Sequence, residues 1–277
     1  MRAAAVQLNS TADTERNLAS ADRLTRAAAA DGARLVVLPE KFNVLGGDRE
    51  LLASAEPLDG ASVSWARESA RELGIDLVAG SIAERREGHE KLANTSIHVG
   101  PDGEIRAVYR KIHMFDVVVG GTEYRESAAE DAGDEIVLSE SADGVPLGLT
   151  ICYDLRFPEL YRIQAVRGAR VFALPAAFTK VTGRAHWEIL VRARAIENQA
   201  FIVAADQVGE DGSGHESFGD SMIADPWGEV LARTDVDGEC FVAADLDLER
   251  QDAVRNELPS LANRVPGAYR WPVEVTA

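Results

Sequence analysis

The sequence predicts a single α/β domain in which two sheets pack face to face with helices on their outer sides. Three observations carry that prediction. Short apolar runs that read as buried strands alternate with segments whose apolar residues recur at helical spacing. The stretch Gly32-Ala33-Arg34-Leu35-Val36-Val37-Leu38-Pro39-Glu40 is echoed by Gly168-Ala169-Arg170-Val171-Phe172-Ala173-Leu174-Pro175-Ala176. Both follow a helix and both carry a strand into proline, which points to two halves of similar βαβ build; chance is the competing explanation for so short an echo. Finally, 277 residues suit one large α/β domain, and no boundary is visible, so residues 1–277 are read as one unit.

The elements follow in order. Ala3 to Leu8 reads as a buried strand. Leu18, Ala21, Thr25 and Ala28 share a helical face, with Asp13 as N-cap and Gly32 as stop. Leu35 to Leu38 is a strand halted by Pro39. Ser62 to Leu73 is a helix ended by Gly74, and Leu77 to Ile82 is the next strand. Thr95 to Val99 and Ile105 to Tyr109 flank Pro101-Asp102-Gly103 as a hairpin. Met114 to Glu135, rich in glycine and charge, reads as an irregular loop. Strands are expected at Ile136 to Leu138 and Leu147 to Ile151, then a helix from Pro158 to Val166. Val171 to Leu174 is a strand, His186 to Asn198 a helix, and Phe201 to Ala205 a strand. Ser221 to Ala224 and Val230 to Ala232 flank the turn Asp225-Pro226-Trp227-Gly228. Cys240 to Ala244 is the last strand and Leu248 to Glu257 the last helix. The tail, with prolines at 259, 266 and 272, is expected to be irregular and packed on a surface.

Charge and cysteine usage bound the function. The net charge of −17 repels phosphate backbones and anionic lipid, so neither nucleic acid nor membrane is an expected partner. The acidic residues are dispersed, which reads as solubility rather than recognition. Two cysteines, Cys152 and Cys240, are too few for a disulfide framework, and no Cys/His cluster has zinc-ligand spacing. With no signal-like leader and no membrane-length apolar run, a cytoplasmic protein with reduced thiols is expected.

Few residues can carry chemistry. Cys152 ends a buried strand shortly before a helix, where α/β folds expose reactive groups, and a nearby cation would lower its thiol pKa. Read alone, it is more often a small core residue; Cys240, inside a strand, is taken as core. Lysine is scarce, occurring only at 41, 91, 111 and 180. Lys111 ends a strand and could support an oxyanion, with a surface role as the bland alternative. Glu40, at the mouth of a buried strand, suits a general base or a solvated loop. His113 and His186 invite a Cys-His dyad, but nothing local favours either. Gly219-Asp220-Ser221 lacks the Gly-x-Ser-x-Gly context of a serine hydrolase. Asn94-Thr95-Ser96 matches a glycosylation acceptor that means little in a cytoplasmic chain.

Taken together, Leu38-Pro39-Glu40, Tyr109-Arg110-Lys111-Ile112-His113 and Cys152-Tyr153-Asp154-Leu155-Arg156-Phe157-Pro158-Glu159 resemble the signatures of the nitrilase (carbon-nitrogen hydrolase) superfamily, in the right order. The resemblance covers essentially the whole chain. It implies a four-layer α-β-β-α sandwich and a Glu40-Lys111-Cys152 triad, with Glu40 as base, Cys152 as nucleophile, and Lys111 and the Tyr153 N–H holding the oxyanion. Tyr124-Arg125-Glu126-Ser127 resembles the segment that carries a second glutamate, which makes Glu126 a positioning or relay candidate.

Within the superfamily, Pro175-Ala176-Ala177-Phe178, Thr182-Gly183-Arg184-Ala185-His186-Trp187-Glu188 and Arg192-Ala193-Arg194-Ala195-Ile196-Glu197 resemble the Nit amidase branch. That branch acts on ω-amides of small carboxylic acids, and the pattern is nearest to its deaminated-glutathione type. Arg184 departs from the branch, which more often has proline there. A substrate carboxylate would need a cation: Arg156, or Arg184 in the following loop. Internal pairing of these arginines with Asp154, Glu159 or Glu188 is the alternative. Ala177 and Phe178 are candidate pocket walls, with core packing as the equal alternative for Phe178. The resemblance implies no metal or organic cofactor and a homo-oligomer, a dimer or larger. Hydrolysis of a nitrile or a carbamoyl amine is the alternative on the same fold. A binding module without activity is disfavoured by the intact triad, and a redox role by the lack of a second cysteine nearby.

Overall fold

The computed structural model describes residues 1–270. The chain begins with β1 (Arg2–Gln7), α1 (Thr14–Ala30), β2 (Leu35–Val37), α2 (Asp48–Ser54), α3 (Ala61–Leu73), β3 (Asp76–Val78), β4 (Ile82–Glu84), β5 (Ala93–Val99) and β6 (Ile105–Arg110). A small hairpin, β7 (Asp116–Val119) and β8 (Thr122–Arg125), leads into the single turn α4 (Glu126–Ala129). Then come β9 (Leu138–Glu140), β10 (Pro146–Leu149), a 3-10 turn over Cys152–Arg156, α5 (Pro158–Val166), β11 (Val171–Ala176), α6 (Lys180–Asn198) and β12 (Phe201–Asp206). The remainder is β13 (Val208–Glu210), β14 (Glu216–Phe218), β15 (Met222–Ala224), β16 (Val230–Arg233), β17 (Cys240–Asp245) and α7 (Leu248–Glu257).

Among the described residues, one sheet runs β17-β1-β2-β3-β5-β4 with β6 paired to β5, and a second runs β16-β15-β12-β11-β10-β9. The period of two along each strand explains how they stack. Ala3, Ala5, Leu35 and Val37 point into one core with Leu147, Leu149, Val171 and Ala173 of the opposite sheet. Their neighbours Ala4, Val6, Val36 and Leu38 point the other way, onto Leu24 and Ala28 of α1 and Val63, Ala66 and Ala70 of α3. Tyr161 of α5 and Trp187, Val191 and Ala195 of α6 cover the second sheet. The layers are therefore helix, sheet, sheet, helix, and each fully buried Leu or Val contributes about 1.5–3 kcal/mol. The echoed segments become β2 and β11, both interior strands with parallel neighbours, one in each sheet. His98 of the first sheet and Ser139 of the second join at 2.7 Å, with Asp76 behind the imidazole at 3.1 Å, a buried polar tie between the sheets. No helix among the described residues is long and apolar enough to cross a membrane.

Several elements differ from the sequence expectation. The strand expected over 77–82 is broken into β3 and β4. Gly80, at φ +36°, makes the break, because a Cβ there would overlap the Pro39 carbonyl. The loop of 114–135 contains the β7–β8 hairpin, turned by Gly120 and Gly121, both at positive φ. α6 begins at Lys180, six residues before His186, with Thr179 as its N-cap. The segment 259–270 is largely exposed rather than packed down; Pro272 lies outside the described residues.

Candidate functional site

A cavity of about 460 Å³ opens at the strand ends where the two halves meet, and Glu40, Lys111, Glu126 and Cys152 all line it. Each arrives by a different local device. Glu40 follows β2, and the Gly80 break lets its backbone pass close by; the Ser81 hydroxyl then accepts the Lys41 N–H at 2.9 Å. Lys111 continues the line of β6, its N–H bonded to the Asn94 carbonyl of β5 at 2.9 Å. Glu126 starts α4 beyond the hairpin. Cys152 sits at φ +46° at the head of the 3-10 turn. A non-glycine residue in that region costs about 1–3 kcal/mol, and it turns the thiol out of the strand line.

The ionisable groups are almost entirely buried: Glu40 is 3% exposed, Lys111 2% and Cys152 7%. The Lys111 ammonium donates to Glu40 Oε1 at 2.9 Å and to both Glu126 oxygens at 2.8 Å. Burial works against that charge, but the Glu126 and Glu40 carboxylates outweigh it and hold the lysine pKa well above the usual range. Glu126 is pushed the other way: burial opposes its ionisation, and Lys111 and Lys41 overcome it. Asn94 Nδ2 donates to Glu40 Oε1 at 2.8 Å and to Glu126 Oε1 at 3.0 Å, bridging the two carboxylates. Lys41 Nζ lies 2.9 Å from Glu130 Oε1, and burial together with Glu126 pushes Glu130 up to about 7.

The thiol differs from the expectation that a cation would depress its pKa. Burial first, and the facing Glu40 carboxylate second, push Cys152 well above the usual thiol range; Lys111 and a hydrogen bond from the Ala177 N–H pull it down by less. The sulfur therefore rests as a thiol facing the Glu40 side chain.

Tyr153, Arg156, Ala177 and Phe178 line the same cavity. The Arg156 guanidinium lies 5.1 Å from the Phe178 ring and 5.9 Å from the Tyr153 ring, and its Nη1 is 3.3 Å from His186 Nδ1. Among the described residues no carboxylate pairs with it, so the expected internal alternatives for Arg156 do not form. Arg184 is a correction: it lies inside α6, exposed, and does not line the cavity. The helix begins at Lys180, so Thr182 faces the cavity, Gly183 packs against Phe218, and the next helical step carries Arg184 to solvent. Neither histidine pairs with the thiol; His113 Nδ1 bonds Asp154 at 2.7 Å. Cys240 is half-buried in β17, away from the cavity. Lys41, Asn94 and Glu130 were not expected at the site. The adjacency of Lys41 to Glu40 was a signal for the first. Nothing in the local sequence marked Asn94, whose role arises from pairing of β5 beside the lysine strand.

Residues 2–256 match the carbon-nitrogen hydrolase family. The chain is 40% identical over 272 residues to the human omega-amidase NIT2, covering 97% of this chain and 96% of that one. It is 39% identical over 272 residues to the human deaminated glutathione amidase, covering 96% of this chain and 83% of that one. These two identities do not separate the two activities. Among solved structures, a variant amidase from Nesterenkonia sp. AN1, with acrylamide added at its active-site cysteine, superposes with a TM-score of 0.76 at 28% identity, covering 94% of this chain and 98% of that one. Matched over nearly its whole length by family, sequence and fold, this chain belongs to the carbon-nitrogen hydrolase family.

Proposed function

We propose that the protein hydrolyses the terminal amide of a small ω-amido carboxylic acid through a thioester on Cys152, releasing ammonia. The observation that carries the reading is a single cavity holding a thiol, a carboxylate facing it, a buried ammonium and a guanidinium that no carboxylate of the described residues pairs with. As Sγ attacks the amide carbon, its proton passes to Glu40. The oxyanion takes an N–H from Lys111 and one from the Tyr153 backbone. The ammonium has three protons and Glu40 and Glu126 engage at least two, so Lys111 has at most one to offer. Glu40 returns its proton to the nitrogen, ammonia departs and the thioester remains. Glu40 then takes a proton from water, whose oxygen attacks the thioester; the acid leaves and the thiol is restored. Glu126 keeps Lys111 charged and aimed. Arg156, walled by Phe178 and Tyr153, pairs with the substrate carboxylate. No metal or organic cofactor enters these steps.

The names of the relatives support an ω-amide, including deaminated glutathione. Ammonia release from a panel of ω-amides, plain aliphatic amides, a nitrile and a carbamoyl amino acid tests the class. Turnover confined to ω-amides is expected. Carbon dioxide released with ammonia from the carbamoyl substrate alone would replace this reading with the carbamoyl one.

The same reading places the enzyme in the cytoplasm, where its two free thiols stay reduced. It also makes the protein a homo-oligomer. Ile163 and Val166 of α5 are exposed, as are Leu258, Val265 and Tyr269 beyond α7. Exposed apolar side chains of this size are what supports an interface between copies. Sedimentation is expected to give a dimer or larger; a monomer at every working concentration would contradict this.

A further inference from the structure

We propose that Asp154 is a positioning residue that locks the nucleophile turn to the lysine strand. It rests on the assignment of Cys152 and Lys111 above and adds to it a part that touches neither substrate nor reacting atoms. The Asp154 carboxylate is completely buried, and among the described residues no lysine or arginine pairs with it. It is met by hydrogen-bond donors from two separate segments. Oδ2 accepts the Ile151 N–H at 2.8 Å and the Tyr109 hydroxyl at 2.6 Å. Oδ1 accepts His113 Nδ1 at 2.7 Å and the His113 N–H at 3.4 Å.

The placement of those donors carries the argument. Ile151 precedes Cys152, so its bond fixes the peptide that leads into the left-handed residue. Tyr109 and His113 stand two residues before and two after Lys111, so one carboxylate holds both flanks of the lysine. The His113 ring also stacks on Phe157, where the nucleophile turn ends, with 3.5 Å between centroids and 6° between planes. Burial, and then the nearby Asp154 charge, raise the Tyr109 pKa, which keeps its hydroxyl a donor. Two reactive groups from distant parts of the chain are thereby held in one frame. Misplacing such groups by about 1 Å costs roughly 10²-fold in rate.

The test compares kcat and KM for succinamate, normalised to the amount of Cys152 that iodoacetamide alkylates, in wild type and variants. Asp154→Ala is expected to lose about 10²-fold or more in normalised kcat, with KM changed by no more than about threefold. Asp154→Asn is expected to recover to within about tenfold of wild type: the amide oxygen keeps Ile151 and Tyr109, and the amide N–H donates to the other tautomer of His113. A purely structural role would lower the amount of folded protein without lowering kcat per reactive thiol. Normalised kcat within about threefold of wild type in Asp154→Ala, or no recovery in Asp154→Asn, overturns the proposal. If Asp154→Ala does not fold, the double variant Tyr109→Phe, His113→Ala decides by the same kcat criterion, since it keeps the carboxylate and the Ile151 bond. Succinamate turnover by Cys152→Ala would remove the triad reading itself; an inactive Cys152→Ala beside an unimpaired Asp154→Ala removes only the role of Asp154.

Discussion

Lys111→Met is expected to abolish turnover and to destabilise the protein by about 3–5 kcal/mol. The lysine is the ammonium that Glu40 and Glu126 share, and all three are buried. A methionine fills similar space and carries no charge, so two carboxylates lose their nearest cation inside the protein. One of them then binds a proton, and the base that must accept the thiol proton is compromised as well. The oxyanion loses its charged donor in the same step, a loss of about 10²–10³-fold by itself. Thermal unfolding and ammonia release report the two halves of this prediction separately. A variant with wild-type stability would show that Lys41 and Asn94 suffice to hold the carboxylates.

Glu40→Gln is expected to lower kcat by about 10³-fold or more while leaving the fold intact. The hydrogen bonds that the Glu40 side chain accepts from Lys111 and from Asn94 both fall on Oε1. Glutamine keeps that oxygen in place, so the site retains its shape. What it loses is the second oxygen, the one that takes the thiol proton in the proposed mechanism, replaced by an N–H that cannot accept one. Circular dichroism and iodoacetamide alkylation of Cys152 separate a folded, uncatalytic site from a collapsed one. A kcat within about tenfold of wild type would move the role of base to another group.

The fold, and the three residues that meet in the cavity, were legible in the sequence for definite physical reasons. Strands such as β1 and β11 are short, apolar and bounded by helices with clear caps, Asp13 for α1 among them. Glu40, Lys111 and Cys152 each stand at the end of a strand, and three ordered motifs frame them. What escaped was set by contacts distant in sequence. Asn94 looked like an acceptor sequon, and only the β5–β6 pairing turns it between Glu40 and Glu126. Glu130 lies beyond a hairpin whose Gly120-Gly121 turn was read as part of a loop, so its meeting with Lys41 could not be foreseen. Arg184 falls outside the cavity because α6 starts a turn and a half earlier than its apolar pattern indicated. The hydrophobic face begins at Trp187, whereas Thr179 caps the helix through a hydroxyl that carries no periodic signal. The depressed thiol expected at Cys152 failed for a different reason: burial and a facing carboxylate outweigh one lysine, a balance no local sequence reveals.

The most direct test of a Cys152 thioester is ammonia release from the preferred ω-amide by Cys152→Ala beside wild type, both verified as folded. A loss of about 10⁴-fold or more, down to the rate of the buffer alone, is the expected result. Ammonia released by the variant at the wild-type rate would contradict the account, because no other nucleophile is assigned to this cavity.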